Sequence, residues 1–268
     1  MPTWDAELYL RFANERTRPA ADLISRIVFR DPSGIDIHDP VRIVDIGCGP
    51  GNSTQMLYER WPHAAITGVD SSPEMLAQAK AQHPQWNWLQ GDAGTWKSEE
   101  LFDLVFSNAA LHWVHDHAEV FPRLFRMVAP GGAFAVQMPG NFHAPSHQIM
   151  AQVAQEPPWL DTLRNAASRI GVEPLSFYYD LLHPLTDSLD LWETEYLHIL
   201  DGPEAILEWI RGTGMRPYLE ALPSGQQKQK FQDLCLNRLS EAYPRRANGK
   251  VLFSFRRIFV VAYRRTAR

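Results

Sequence analysis

A glycine-rich loop between an apolar run and a helix-forming segment constrains this 268-residue chain more than any other feature. Residues 41–46 form the apolar run and predict a short buried strand, and residues 47–54 read GCGPGNST. Glycines at alternate positions allow a tight turn and let the backbone approach a ligand, because no Cβ stands in the way. The amides at the start of the following helix can then hold the polar edge of a nucleotide-like cofactor.

Three more apolar runs in the first half of the chain end in a polar side chain, namely Asp70, Asp92 and Asn108. A carboxylate at Asp70 can accept hydrogen bonds from ribose hydroxyls, and Asp92 can accept from an adenine amine. Strands that alternate with helices predict a parallel sheet with right-handed crossovers. The glycine spacing is G-x-G-x-G and not G-x-G-x-x-G, which disfavours a nicotinamide dehydrogenase.

This series resembles the class I S-adenosylmethionine-dependent methyltransferases. The resemblance rests on Asp45-x-Gly47-x-Gly49-x-Gly51, Asp70, Gly91-Asp92, Asn108 and Pro130-Gly131-Gly132. Beyond that core, the chain is similar to the trans-aconitate 2-methyltransferases over nearly its whole length. The segments that carry this second resemblance lie at 8–20, 108–113, 135–141, 213–217 and 259–262.

The resemblance implies an α/β fold: a doubly wound, mostly parallel, seven-stranded, Rossmann-like sheet with a helical cap and an N-terminal helical lid. Residues 1–30 are expected to form the lid, as two short helices with a break near Pro19. Residues 31–140 would form the S-adenosylmethionine-binding core and residues 141–188 a helical insertion or cap. Residues 189–268 would supply the last strands, with a further helical insertion at 203–244.

The resemblance also implies the residues of the site. For the cofactor, S-adenosyl-L-methionine, these are Tyr9, Arg16, Asp45, Gly47, Gly49, Asp70, Ser71, Met75, Asp92, Ala93, Asn108 and Trp113. For the substrate they are Arg18, Asn141, Arg216 and Arg256. Of these, Arg18, Arg216 and Trp113 are expected to orient the acceptor.

Arginine-rich loops suit a small polycarboxylate, because the planar guanidinium meets a carboxylate through two hydrogen bonds and keeps its charge. A carboxylate acceptor is already ionised near pH 7 and needs no general base. The whole-chain resemblance implies trans-aconitate or a close small polycarboxylate as the acceptor, so the expected reaction is carboxyl O-methylation to its monomethyl ester. One alternative is a hydroxyl acceptor with His112 as the base, and another is a cofactor-binding protein without turnover.

The net charge, the cysteine count and the distribution of apolar residues limit the classes of partner that are expected. The net charge of −5 gives no general attraction to nucleic acid, and two cysteines indicate no disulfide framework. No cluster of His, Cys or carboxylates has metal-ligand spacing, so no metal is expected. No apolar run of membrane-spanning length and no signal-peptide pattern occurs, which predicts a cytoplasmic protein without membrane partners. The oligomeric state is left open.

Overall fold

A computed structural model of the chain describes residues 13–29, 39–166 and 171–266, apart from the side chains of residues 13–16. Within these residues seven strands form one sheet: β1 (Arg42–Ile46), β2 (Ala65–Asp70), β3 (Asn87–Gln90), β4 (Phe102–Asn108), β5 (Val128–Pro139), β6 (Thr186–Leu200) and β7 (Val251–Arg264). Their spatial order is β3-β2-β1-β4-β5-β7-β6. Strands β1 to β5 pair in parallel.

The described helices flank and connect these strands. They are α1 (Ala13–Ser25), α2 (Asn52–Arg60), α3 (Pro73–Gln82), α4 (His117–Phe125), α5 (Pro145–Ala154), α6 (Leu160–Leu163), α7 (Leu175–Leu182), α8 (Pro203–Arg211), α9 (Arg216–Ala221) and α10 (Gly225–Ala242). Local sequence explains the start of α3, where Ser72 accepts a hydrogen bond from the Met75 amide and Pro73 occupies the first helical position.

Strand β7 runs antiparallel to β5. At one end the Gly140 amide donates to the Arg256 carbonyl over 2.9 Å. At the other end the Arg264 guanidinium donates to the Val128 carbonyl. Residue numbers therefore rise along one strand as they fall along the other. The seven-stranded, mostly parallel α/β sheet predicted from the sequence is confirmed.

Strand β6 is likewise antiparallel to β7. Ser254 contacts Glu195 near the start of β7, whereas Arg265, just past its end, pairs with Asp187 at 3.3 Å. Strand β7 lies between β5 and β6, although it is the last of the seven strands in the sequence. The strand that completes the sheet is therefore the last one to be synthesised.

The chain divides into two compact units. The described parts of residues 16–138, 172–193 and 257–266 form the first, called here the sheet unit. Most of the second, the helical unit, consists of the described parts of residues 139–171 and 194–256. Its core joins side chains of α5, α8 and α10 to alternate residues of β7, such as Phe253 and Phe255.

Helix α7 belongs to the sheet unit, although its sequence lies in the range 141–188 that the sequence analysis assigns to a cap. Tyr178 is fully buried and packs on Phe121 of α4, with ring centroids 4.7 Å apart. Its hydroxyl also lies 2.7 Å from Nδ1 of His117. The apolar and polar partners of this helix therefore belong to the sheet unit, and Leu182 packs in the same core.

The expected break near Pro19 is wrong, because α1 continues through that residue. A proline removes one backbone donor but has a helical φ, so a helix can absorb it where packing compensates. Here Pro19 and Ala20 are buried, and Leu23 and Ile24 one turn later lie in the core. The part of the expected lid before residue 13 lies outside the described residues.

Candidate active site

The loop after β1 keeps the three glycines in left-handed backbone conformations, with φ of 73° at Gly47, 56° at Gly49 and 97° at Gly51. A Cβ on Gly47 would lie 2.2 Å from the Cβ of Ala110, so this glycine lets the loop after β4 pack directly against the loop after β1. A Cβ on Gly49 would meet no described atom within 4 Å. A side chain at Gly49 would therefore meet open space, and the predicted contact of this backbone with the cofactor stays a prediction.

Asp45 is fully buried at the end of β1. Its Oδ2 accepts hydrogen bonds from the Ser53 and Thr54 hydroxyls, each over 2.7 Å. Its Oδ1 is buried and has no partner within the described part of the chain. Burial raises the pKa of this carboxyl to about 6, although the two hydroxyls oppose the shift. The carboxylate is therefore short of one donor or of a positive charge.

Asp70 ends β2 and fixes the neighbouring backbone. Its Oδ2 accepts from the Gly49 amide at 2.9 Å and its Oδ1 from the Ser72 amide at 2.8 Å. Each carboxylate oxygen has a second lone pair, so Asp70 can still accept from ribose hydroxyls. The predicted neighbours Ser71 and Met75 follow directly, with Ser71 half-buried and Met75 buried.

Asp92 is exposed on the loop after β3. Its Oδ1 accepts from the Gly94 amide at 2.7 Å, and its carbonyl accepts from the Trp96 amide at 2.6 Å. A residue that the sequence analysis missed braces this loop. Arg123 of α4 donates to the Ala93 carbonyl at 2.7 Å and also to the Trp96 carbonyl.

Asn108 ends β4, and its buried Oδ1 has no partner among the described residues. The loop that follows is strained at Ala109, a non-glycine residue with φ of 52°. Trp113 is half-buried on the short 3-10 helix of this loop, and His112 beside it is only 6% exposed. The carboxyl ends of four neighbouring strands, β1 to β4, thus each carry a polar side chain in or just after the strand. These side chains are Asp45, Asp70, Asp92 and Asn108.

These features fit S-adenosylmethionine, which carries a carboxylate, a cationic ammonium and sulfonium, ribose hydroxyls and an adenine amine. The open space beside Gly49 leaves room for a ligand, and the lone Oδ1 of Asp45 suits a donor or a cation. Asp70 and Asp92 are acceptors of the kind that ribose and adenine need. The residues present therefore match the group that the sequence implies.

The N-terminal residues of the predicted site are only partly described. Tyr9 lies outside the described residues, and so does the side chain of Arg16, whose backbone is in α1. Arg18 is exposed on the same helix. Their predicted contacts with cofactor and substrate stay predictions.

Two of the predicted substrate residues line a cavity of about 710 Å³ in the helical unit. Asn141 accepts the Arg256 amide on Oδ1 at 3.2 Å, and its buried Nδ2 has no partner in the described chain. The Arg256 side chain donates from Nε to the Gly140 carbonyl at 3.0 Å. Arg246 adds a second guanidinium to the lining and Glu195 a carboxylate.

Arg216, the other predicted substrate residue of this unit, does not line that cavity. It begins α9, and its Nε donates to Glu220 one turn later over 3.0 Å. Its side chain is only 14% exposed. Desolvation lowers the pKa of the guanidinium, and Glu220 opposes that shift.

The described residues show no group of three or more side chains that could hold a metal ion. Burial raises the pKa of the Cys48 thiol, so this cysteine of the glycine loop stays protonated at neutral pH and is a poor nucleophile. No described helix combines the length and the hydropathy that crossing a membrane requires.

Comparison with known proteins gives the same class. A methyltransferase domain model matches residues 43–132. The solved structure of the YcgJ protein from Bacillus subtilis superposes with a TM-score of 0.59 at 16% identity, covering 93% of this chain and 99% of that one. Phosphoethanolamine N-methyltransferase 2 of Haemonchus contortus, solved with S-adenosyl-L-methionine, gives 0.54 at 17% identity, covering 93% of this chain and 53% of that one.

The fold and the matched domain agree with a class I methyltransferase, and the full-length relatives confirm the predicted enzyme class. Full-length relatives specify the family. The chain is 44% identical over 264 residues to the trans-aconitate 2-methyltransferase of Azoarcus sp. (strain BH72), covering 98% of this chain and 100% of that protein. It is 46% identical over 265 residues to that of Methylobacterium nodulans, with coverage of 98% and 99%. The chain belongs to the trans-aconitate 2-methyltransferase family.

Proposed function

We propose that this enzyme transfers the methyl group of S-adenosylmethionine to one carboxylate of trans-aconitate, or of a close small polycarboxylate, and forms the monomethyl ester. The observation that carries the proposal is the set of polar side chains at the carboxyl ends of β1 to β4, namely Asp45, Asp70, Asp92 and Asn108, together with the hydrogen bond from the Gly49 amide to Asp70. The choice of acceptor follows the relatives, whose similarity extends over 98% of this chain.

S-adenosylmethionine supplies a methyl group that is already activated on a sulfonium. The chain therefore has to bind both reactants, align them and exclude water. The Gly49 backbone and the Asp45 carboxylate would hold the amino-acid part of the cofactor. Asp70 and Asp92 would hold its ribose and adenine.

The acceptor needs cationic and amide groups in place of a base. Arg256 and Asn141 supply guanidinium and amide N–H groups, which are carboxylate donors and so support a polyanionic ligand. We retain Arg18, Asn141, Arg216 and Arg256 as the proposed substrate residues.

The direct test is an assay of the purified enzyme with trans-aconitate and S-adenosylmethionine. We expect a product heavier by one methyl group, whose ester is hydrolysed by base. With saturating cofactor the rate should be nearly flat between about pH 6 and 8, because the reacting carboxyl is ionised throughout.

A hydroxyl acceptor would give a different profile. The rate would then rise steeply through pH 7, and His112→Ala would abolish that rise, because a hydroxyl must lose its proton to a base. A base-stable product with that profile would reject carboxyl methylation. A tricarboxylate that is neither bound nor methylated would reject the proposed acceptor.

A further inference from the structure

A fully buried glutamine near the end of β5 has no hydrogen-bond partner. Neither Oε1 nor Nε2 of Gln137 meets a donor or acceptor in the described parts of the chain, and the residue is 0% exposed. Its backbone is well held, since its carbonyl accepts the Ala109 amide at 2.9 Å. Gln137 pairs in register with Asn108 on β4, so the two side chains lie side by side on one face of the sheet.

A buried primary amide without partners is costly, and native proteins rarely keep one without a reason. The adjacent register pair, Ser107 and Val136, shows how a buried polar side chain is usually satisfied. The buried Ser107 hydroxyl donates to the Ile46 carbonyl at 2.8 Å. A leucine would fill the position of Gln137 without leaving two polar atoms unsatisfied. The amide is therefore best explained by a partner that is not part of the chain.

A buried cation occupies the same face. Val136 and Met138 of β5 share one core with Ile258 and Val260 of β7, so the odd-numbered Gln137 and Arg257 lie on the other face of these strands. Residues two apart on a strand share a face, and diagonal neighbours are within reach of long side chains. Arg257 is only 6% exposed. A guanidinium and an amide on one face of neighbouring strands are a combination suited to a carboxylate.

Gln137 adjoins Asn108, one of the groups assigned to the cofactor, and the strand order places the pair beyond the other groups. Those groups follow β1, β2, β3 and β4, whereas Gln137 and Arg257 are on β5 and β7, beyond β4. We propose that Gln137 donates from Nε2 to the carboxylate that receives the methyl group, and that Arg257 supplies the counter-charge. This inference rests on the proposed carboxyl methylation and names a positioning residue for it.

The chemistry favours an amide at this place. One carboxylate oxygen accepts the Gln137 hydrogen bond, and the other keeps its lone pair for attack. That lone pair forms the new O–C bond with the methyl group as the carbon–sulfur bond breaks, its electrons remain on sulfur, and no proton moves. A neutral amide orients the nucleophile while withdrawing less charge than a bidentate guanidinium would. Because Gln137 is inaccessible in this structure, the acceptor reaches it only when the residues over it move apart.

The test compares Gln137→Leu with wild type in four measurements: melting temperature, S-adenosylhomocysteine affinity by calorimetry, and kcat and KM for trans-aconitate. We expect kcat/KM to fall about 10- to 100-fold, the size of losing a hydrogen bond to a charged group. The melting temperature should stay or rise, because an unsatisfied buried amide is removed, and cofactor affinity should stay within about twofold of wild type.

Ser107→Ala is the matched control, because it removes a buried polar group that has its partner. It should lower the melting temperature and keep kcat/KM close to wild type. Gln137→Glu is a second variant, which should raise KM most at high pH, where its carboxylate repels the acceptor, and less as the pH falls.

Three results would overturn the inference. Wild-type kcat/KM in Gln137→Leu would show that the amide does not touch the acceptor. A joint loss of melting temperature, cofactor affinity and rate would show a packing role. A wild-type enzyme that does not methylate trans-aconitate would reject the proposed function as well, which separates that failure from the first two.

Discussion

At the scale of single residues, Asp45 shows how burial prepares a group for a ligand. Two hydroxyls hold one carboxylate oxygen, the other has no partner in the described chain, and the pKa is raised to about 6. The raised pKa means that the folded protein binds a proton that the unfolded chain has already released. Stability from this group is therefore present at acid pH and declines as the pH rises from about 4 to about 6.

A cationic ligand should offset the stability that is lost when Asp45 ionises, so ligand binding should depend on pH. S-adenosylhomocysteine carries an ammonium group that favours ionised Asp45, so its affinity should rise between about pH 5 and 7. Calorimetry at steps of pH measures this directly. Asp45→Asn cannot ionise and should bind more weakly, with a flatter profile; an equally steep profile in that variant would assign the titration to another group.

The two glycines Gly47 and Gly49 should respond differently to the same substitution. Both have positive φ, so alanine costs roughly 1 kcal/mol at either position. Gly47→Ala also drives a methyl group into Ala110, and its melting temperature should fall much further. Gly49→Ala meets open space and should keep most of the stability but lose cofactor affinity. Thermal melts and calorimetry on both variants make the comparison, and equal losses of stability would contradict it.

At the scale of elements, α4 braces the loop after β3 through Arg123. The guanidinium reaches two carbonyls of that loop, at Ala93 and Trp96, and thereby holds Asp92 in place. Spatial contact across some thirty residues of sequence is a tertiary property. No motif marks such an arginine, which is why the sequence did not single it out.

Arg123→Met should loosen that loop while it keeps the aliphatic stem of the side chain. We expect a loss of roughly 1–3 kcal/mol in the free energy of unfolding, and a weaker affinity for the adenosine part of the cofactor. Arg126→Met, an exposed neighbour on the same stretch, is the control and should change neither. Denaturant unfolding and adenosine competition supply the two readouts; unchanged competition would mean that Asp92 keeps its place without Arg123.

At the scale of the whole molecule, the sequence predicts what depends on local pattern. The glycine loop, the acids at strand ends and the apolar runs are readable because strand and turn signals are short-range. The place of α7 and the continuation of α1 through Pro19 were not predicted, because packing partners distant in sequence decide both. Gln137 was visible as the polar end of an apolar run, but its lack of a partner depends on every neighbour around it.

The order of the strands also determines how long β6 lacks its neighbour while the chain is being synthesised. Strand β6 ends at Leu200, but its neighbour β7 begins only at Val251. At ribosomal rates of about 5–20 residues per second, β6 waits roughly 3–10 s for the strand that joins it to the sheet. During that interval β5 also has an open edge, and β6 carries the exposed side chains Leu197 and Ile199. The nascent chain is thus most prone to aggregation just before β7 emerges and fills the gap between these two strands.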